Sequence, residues 1–185
     1  MSDEPLISIV TPSFNMGRFL ERALESVHGQ SDRIEHIVVD GGSTDESPTI
    51  IESWARRLAW RVSQPDRGQS DAINKGFQIA RGRFGAWLNA DDWYQPGALN
   101  AVVADLERDP DVDLLIGRCR FIDMEGRVVF DPKPPDPVSV ESLLRLRSQW
   151  FDGRLLVQPE VFFRLALFRR VGGLDVHNHY SMDHD

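Results

Sequence analysis

Short β-branched runs and amphipathic helical segments take turns along the first hundred residues, and this alternation restricts the fold more than composition does. Leu6-Ile7-Ser8-Ile9-Val10-Thr11 reads as a first strand closed by Pro12. Phe19, Leu20, Ala23, Leu24 and Val27 then recur at helical spacing, and Gly29 stands where that helix should stop. Residues 34–40 repeat the strand with Ile37-Val38-Val39, and Gly41-Gly42-Ser43-Thr44-Asp45 makes a turn that lets a ligand approach the backbone. Ser47-Pro48 starts a second helix, with Ile50, Ile51, Trp54 and Leu58 on its buried face. Residues 60–62 give a weaker third strand and 64–70 a loop. A third helix begins near Ser70 or Asp71, buries Ala72, Ile73, Phe77 and Ala80, and ends by Gly82, before a fourth strand over 84–88. Such βαβ repetition implies an α/β fold with a largely parallel central sheet flanked by helices. Its ligand crevice lies at the carboxyl ends of the strands.

Trp87-Leu88-Asn89-Ala90-Asp91-Asp92-Trp93 is an apolar run that ends in two adjacent carboxylates. Neighbouring aspartates repel, and desolvating either is costly without a compensating cation, so Mn2+ or Mg2+ suits such hard oxygen ligands. The dipeptide alone reads more readily as a solvated turn, with Asp92 capping the helix begun by residues 96–99. The convergence of Thr11, Asp40 and Asp91 on strand ends that share one edge puts the site reading ahead.

Further on, residues 98–106 read as a helix. Residues 114–122 read as one long strand, pairing with 128–130 through a turn at Glu125-Gly126. Cys119 is expected as buried filling, and Asp131-Pro132-Lys133-Pro134-Pro135-Asp136-Pro137 as an extended surface segment. Residues 140–146 and 163–171 read as helices, the latter ended by Gly172-Gly173. Arg145, Arg147, Arg154, Arg164, Arg169 and Arg170 are read mostly as solvated faces.

At 185 residues and 41% hydrophobic content the chain suits one domain. A net charge of -8 argues against nucleic acid as partner. The single cysteine forms no internal disulfide, and the amino terminus lacks a secretion signal, so a cytoplasmic setting is the default. No apolar run approaches the roughly 20 residues that cross a bilayer, which leaves peripheral association with the inner face of the membrane open.

Ile9-Val10-Thr11-Pro12-Ser13-Phe14-Asn15, Val38-Val39-Asp40-Gly41-Gly42-Ser43-Thr44-Asp45 and Leu88-Asn89-Ala90-Asp91-Asp92 together resemble the inverting family 2 glycosyltransferases of GT-A fold. Asp66-Arg67-Gly68-Gln69-Ser70-Asp71-Ala72-Ile73-Asn74-Lys75-Gly76 resembles a segment of bacterial members that make cell-surface polysaccharide. The likeness is strong through Trp93, returns at Gln158-Pro159 and over 172–185, and is weak from 105 to 154. It implies a single domain over 1–185, with a nucleotide-sugar-binding half (1–104) and an acceptor-side half (105–185).

By position, the resemblance implies that Thr11 and Pro12 border the nucleotide base with Phe14 beside them. It implies that Asp40 accepts a hydrogen bond from the base, next to Gly41. Asp66, Gly68 and Asn89 join this donor site, and Asp91 and Asp92 serve ribose and metal. The implied donor is a nucleoside diphosphate sugar, a UDP-sugar first, and the implied acceptor a hydroxyl of a glycan or lipid-linked molecule. Many relatives carry a second aspartate where Gly41 stands, and some an aspartate at Asn89. Asp71 and Lys75 share a helix face near the diphosphate or sugar, although an intrahelical ion pair explains them as well.

Tyr180-Ser181-Met182-Asp183-His184-Asp185 resembles the segment that carries the general base, and Asp183 matches the base itself. His177, His179 and His184 are read as polar residues rather than metal ligands. Relatives continue into a helix after this motif while the chain stops at Asp185. The expectation is therefore a truncated domain with its last residues displaced or disordered, and an apolar patch that favours a homo-oligomer. Two alternatives stand beside transfer: a non-catalytic nucleotide-sugar-binding fragment, and a sugar-phosphate nucleotidyltransferase.

Overall fold

The computed structural model of the protein describes residues 4–134, 138–139, 141 and 152–178. Among the described residues eight strands fall in the order β1 (Ile7–Ser13), β2 (Ile34–Asp40), β3 (Trp60–Ser63), β4 (Phe84–Trp87), β5 (Leu114–Ile116), β6 (Phe121–Ile122), β7 (Val128–Phe130) and β8 (Val161–Arg164). Five α-helices accompany them among the described residues: α1 (Gly17–Val27), α2 (Ser47–Ser53), α3 (Gln69–Ile79), α4 (Ala98–Arg108) and α5 (Leu165–Val171). The main sheet runs β3-β2-β1-β4-β8-β5, with β3, β2, β1 and β4 mutually parallel and β8 antiparallel to both its neighbours.

Both faces of the parallel part are covered, which is why β1 is buried at all seven positions rather than at alternate ones. Ile7, Ile9, Phe84, Ala86 and Leu88 pack against Ala23 and Val27 of α1 and Leu99, Val103 and Leu106 of α4. Val10, Ile37, Val39 and Trp87 meet Ala72, Ile73 and Phe77 of α3 and Leu165 of α5 on the opposite face. A third cluster joins Leu20 and Leu24 to Val38, Ile51, Trp54 and Leu58. Chain order fans out from β1, to β2 and β3 on one side and to β4 on the other. The crevice at the carboxyl ends of β1 and β4 is thus a topological switch point.

Three expectations need correction, and a fourth gains detail. β1 does not stop before Pro12 but passes through it to Ser13. The even-numbered residues of β1 face β4, where the ladder closes with Leu88 N–H on the Val10 carbonyl, so the N–H that Pro12 lacks is not needed. The single strand expected over 114–122 is two: β5 joins β8 in the main sheet, while β6 pairs with β7 in a separate hairpin. The chain leaves the sheet at Gly117, whose N–H donates to the Glu160 carbonyl at 2.8 Å. The helix expected from 163 begins only at Leu165, because Val161-Phe162-Phe163-Arg164 is drawn into the sheet between β4 and β5. Phe162 points to one core and Phe163 to the other, a period of two hidden inside an apolar run.

The fourth concerns the arginines. Arg164 donates to Asp113 at 2.8 Å and to the carbonyls of Pro110 and Val112, and Arg169 donates to the carbonyls of Phe77 and Ala80. These two tie chain segments together, although Arg169 stays exposed, as do Arg154 and Arg170. The helix expected over 140–146 lies outside the described residues except Glu141, as do Arg145 and Arg147.

Candidate active site

Because four neighbouring strands run parallel, the loops after Ser13, Asp40, Ser63 and Trp87 open on one edge. The first two are laced together. Asn15, with φ of 53°, donates its N–H to Ser43 Oγ at 2.7 Å and accepts the Thr44 N–H on Oδ1 at 2.9 Å. Asp45 accepts the N–H groups of Gly17 and Ser47, each at 2.9 Å, and the Ser47 hydroxyl beside it holds its carboxyl below the usual range. Phe14 projects from this framework, 59% exposed.

Asp40 is fully buried at the end of β2. Its Oδ1 accepts from Ser43 Oγ at 2.5 Å. Its Oδ2 accepts from the Ser43 N–H at 2.9 Å, the Gly42 N–H at 3.2 Å and Ser63 Oγ at 2.6 Å. Ser63 is not among the residues expected at the edge, because the sequence pattern ends β3 at residue 62 and the strand runs on to Ser63. Thr11 is also fully buried, and its hydroxyl meets His36 Nε2 at 2.9 Å, so its side chain faces the core rather than the edge. Pro12 is buried within β1.

The start of α3 forms the floor. Asp71 lies between two cations, Arg67 at 2.9 Å and Lys75 at 3.0 Å, and also accepts the Arg67 N–H. Hydrogen bonding from Arg67 chiefly, with Lys75 adding to it, holds the Asp71 carboxyl down at about 2 despite its burial. Gln69 at the helix start donates to Asn89 Oδ1 at 2.6 Å, joining α3 to the tip of β4. Asp66 Oδ1 accepts the Gly68 N–H at 2.8 Å.

At that tip Asp91 is exposed and Asp92 partly buried, with Asn89 Nδ2 at 3.5 Å from Asp92 Oδ2. The loop is pinned outside by Arg22, whose guanidinium sits 3.3 Å over the Trp93 ring, and inside by Tyr94 against Phe162. Burial, aided by the Asp92 charge, pushes the Tyr94 hydroxyl up from its ordinary value. Among the described residues no three acidic, histidine or cysteine side chains group to hold a metal. Asp91 and Asp92 offer oxygen donors of the kind Mg2+ takes, but two carboxylates fill only part of its shell.

Across the edge, Gln158 donates to the Trp87 carbonyl at 2.6 Å and docks the entry to β8 on the end of β4. Glu160 is buried and its carboxyl is raised by that burial. Cys119 is half-buried rather than fully buried as expected, with its thiol pushed up to about 11 by burial and by the charges of Glu160 and Asp92. Asp183, His179 and His184 lie outside the described residues, and His177 is exposed. No helix among the described residues is long and apolar enough to cross a membrane.

Residues 8–170 match the sequence profile described as "Glycosyl transferase family 2". An uncharacterized glycosyltransferase of Mycobacterium tuberculosis is 32% identical over 95% of this chain and 65% of its own length. One of Rickettsia prowazekii is 29% identical over 98% of this chain and 57% of its own. The chain thus spans just over half the length of that relative. Among solved structures, S. aureus TarS 1-349 in complex with UDP has a TM-score of 0.73 at 23% identity, covering 96% of this chain and 52% of that one. The mannosyltransferase PcManGT of Pyrobaculum calidifontis, in complex with GDP-Man and Mn2+, has a TM-score of 0.65 at 21% identity, covering 94% and 48%. The α/β sheet with its antiparallel β8 is the GT-A fold, and by the match over residues 8–170 the chain belongs to glycosyl transferase family 2.

Proposed function

We propose that this domain transfers a sugar, with inversion, from a nucleoside diphosphate sugar to a hydroxyl of a glycan or lipid-linked acceptor in cell-surface polysaccharide synthesis, assisted by Mn2+ or Mg2+. The observation that carries this reading is the edge itself. Four parallel strands end together, and on that edge stand an exposed aromatic, Phe14, and an exposed carboxylate, Asp91, beside partly buried Asp92. TarS with UDP and PcManGT with GDP-Man and Mn2+ share the fold and support a donor of this class.

In this reading residues 1–104 hold the donor and 105–185 face the acceptor. Asp91 and Asp92 hold the cation, which when bound offsets the charge gathering on the departing diphosphate. Asp183 takes the proton of the acceptor hydroxyl while its oxygen bonds to the anomeric carbon and the bond from that carbon to the diphosphate breaks. The nucleoside diphosphate leaves with the electron pair.

The test is product identity. Purified protein given UDP-sugars, Mn2+ and a panel of glycan and lipid-linked acceptors should release nucleoside diphosphate, and Asp183→Asn should stop release without weakening donor binding. Donor binding with no release from any acceptor would favour a binding module. Pyrophosphate release from nucleoside triphosphate and sugar phosphate would favour nucleotidyl transfer.

A further inference from the structure

We infer that Asp66, not Asp40, is the carboxylate that reads the nucleotide base, and that Gly41 makes the room for it to do so. The inference rests on the donor reading above and adds to it the residue that sets base specificity. The site then takes bases that present a ring N–H, uracil, thymine or guanine, and disfavours cytosine and adenine.

Asp40 has nothing left to offer a ligand. It is fully buried, and four donors from Gly42, Ser43 and Ser63 converge on its two oxygens. A base could bind there only by breaking bonds that hold the 41–45 turn together, and leaving such donors unpaired is costly. Asp40 is thus a positioning residue that shapes the turn.

Asp66 is in the opposite state. It is partly exposed, and the Gly68 N–H at 2.8 Å fixes Oδ1 and with it the carboxylate plane. Oδ2 makes no hydrogen bond among the described residues. The carboxylate lies directly across Gly41: a Cβ at that position would stand 3.1 Å from both Asp66 oxygens. At Gly42, where φ is 85°, a Cβ would stand 2.9 Å from the Pro65 nitrogen. The two loops touch because neither glycine carries a side chain, and a residue with a carboxylate at 41 would occupy the space that Asp66 fills. The Gly41 N–H donates to the Ser13 carbonyl at 2.8 Å, so the exposed ring of Phe14 belongs to the next residue along that loop. An aromatic face for stacking and an acceptor for a base edge are thus presented by loops in contact.

A carboxylate at neutral pH only accepts hydrogen bonds. It pairs with N3–H of uracil or thymine and N1–H of guanine, and opposes the lone pair that cytosine N3 or adenine N1 turns outward. A site built around such a bond rejects ligands lacking the donor, because its own polar group is left unpaired.

The test is calorimetric titration of UDP, TDP, GDP, CDP and ADP, with Mn2+, against the wild-type protein and Asp66→Asn. An amide can donate as well as accept, so the variant keeps the shape of the site but not its selectivity. Wild type should prefer its N–H-bearing nucleotide over CDP by at least about tenfold, and Asp66→Asn should bring the two within about threefold. If the variant weakens all nucleotides by one factor, Asp66 merely holds its loop and the inference is overturned. An unchanged preference overturns it equally. Gly41→Ala, which keeps Asp66 but crowds it, provides a second variant should Asp66→Asn fail to fold; it should lower the same ratio, and an unaltered ratio counts against the inference. If no nucleotide binds the folded wild-type protein, the donor reading itself fails, and this inference with it.

Discussion

The hydroxyl of Thr11 lies 2.9 Å from His36 Nε2, both residues buried between β1 and β2 and the α1 layer, so a titratable ring is enclosed directly beneath the loops of the site. Burial, and behind it the nearby His28, lowers the His36 pKa from 6.5 to about 3, which keeps the ring neutral in the folded protein.

That enclosure predicts acid sensitivity. Below 6.5 the unfolded chain takes up a proton on His36 that the folded one refuses until about 3. Stability from this group is therefore complete above 6.5 and falls as pH drops through that window, by about 1.4 kcal/mol per unit at its steepest. Urea unfolding at pH 7.0, 5.5 and 4.5 measures the slope, and His36→Gln should flatten it. An identical slope in the variant would place the acid sensitivity elsewhere.

Asp71 holds two cations at once, with its own side chain 9% exposed and Lys75 at 29%. Asp71→Asn should cost about 1–3 kcal/mol in urea unfolding, mostly by leaving Lys75 partly buried without a counter-charge. The sign with pH is that of His36, in a more acidic window. The Asp71 pKa is depressed from 3.8 to about 2, so its contribution is present above 3.8 and lost as pH falls through 2.

Gly76 fixes the seat of α3 on the sheet, since a Cβ there would stand 2.5 Å from Val10 Cγ1. Gly76→Ala should destabilise the fold by about 1–3 kcal/mol through overpacking. Since Gln69, Asp71 and Lys75 ride on the same helix, nucleotide affinity should fall too. Differential scanning calorimetry and a nucleotide titration on one preparation would check both, and a stable variant with unaltered affinity would mean that α3 re-seats without disturbing the edge.

The parallel half of the fold was legible because each signal there is local. Ile37-Val38-Val39 before Gly41-Gly42, or Ala72, Ile73 and Phe77 at helical spacing, need no distant partner to be read. β8 was not legible, because Val161-Phe162-Phe163 is apolar on either period. Its strand state comes from the open edges of β4 and β5, which lie far away in sequence.

The site divides the same way. Asp91 and Asp92 were placed by the strand end before them, and the Asp71–Lys75 pair by its spacing. Thr11 is expected at a strand end because Pro12 reads as the close of β1, which runs on to Ser13. The occupation of Asp40 by Ser43 and Ser63 depends on the pairing of β2 with β3, which no spacing along the chain reveals.

The most direct measurement is calorimetric titration of UDP-GlcNAc, other common UDP-sugars and GDP-Man, with Mn2+ and then with chelator, on the wild-type protein and Asp91→Ala. The account predicts that one donor binds with Mn2+, that chelator weakens it about tenfold or more, and that Asp91→Ala loses the same increment because the carboxylate and the cation act together. Binding of equal strength with chelator and in Asp91→Ala, or no binding of any donor by the folded protein, would contradict it.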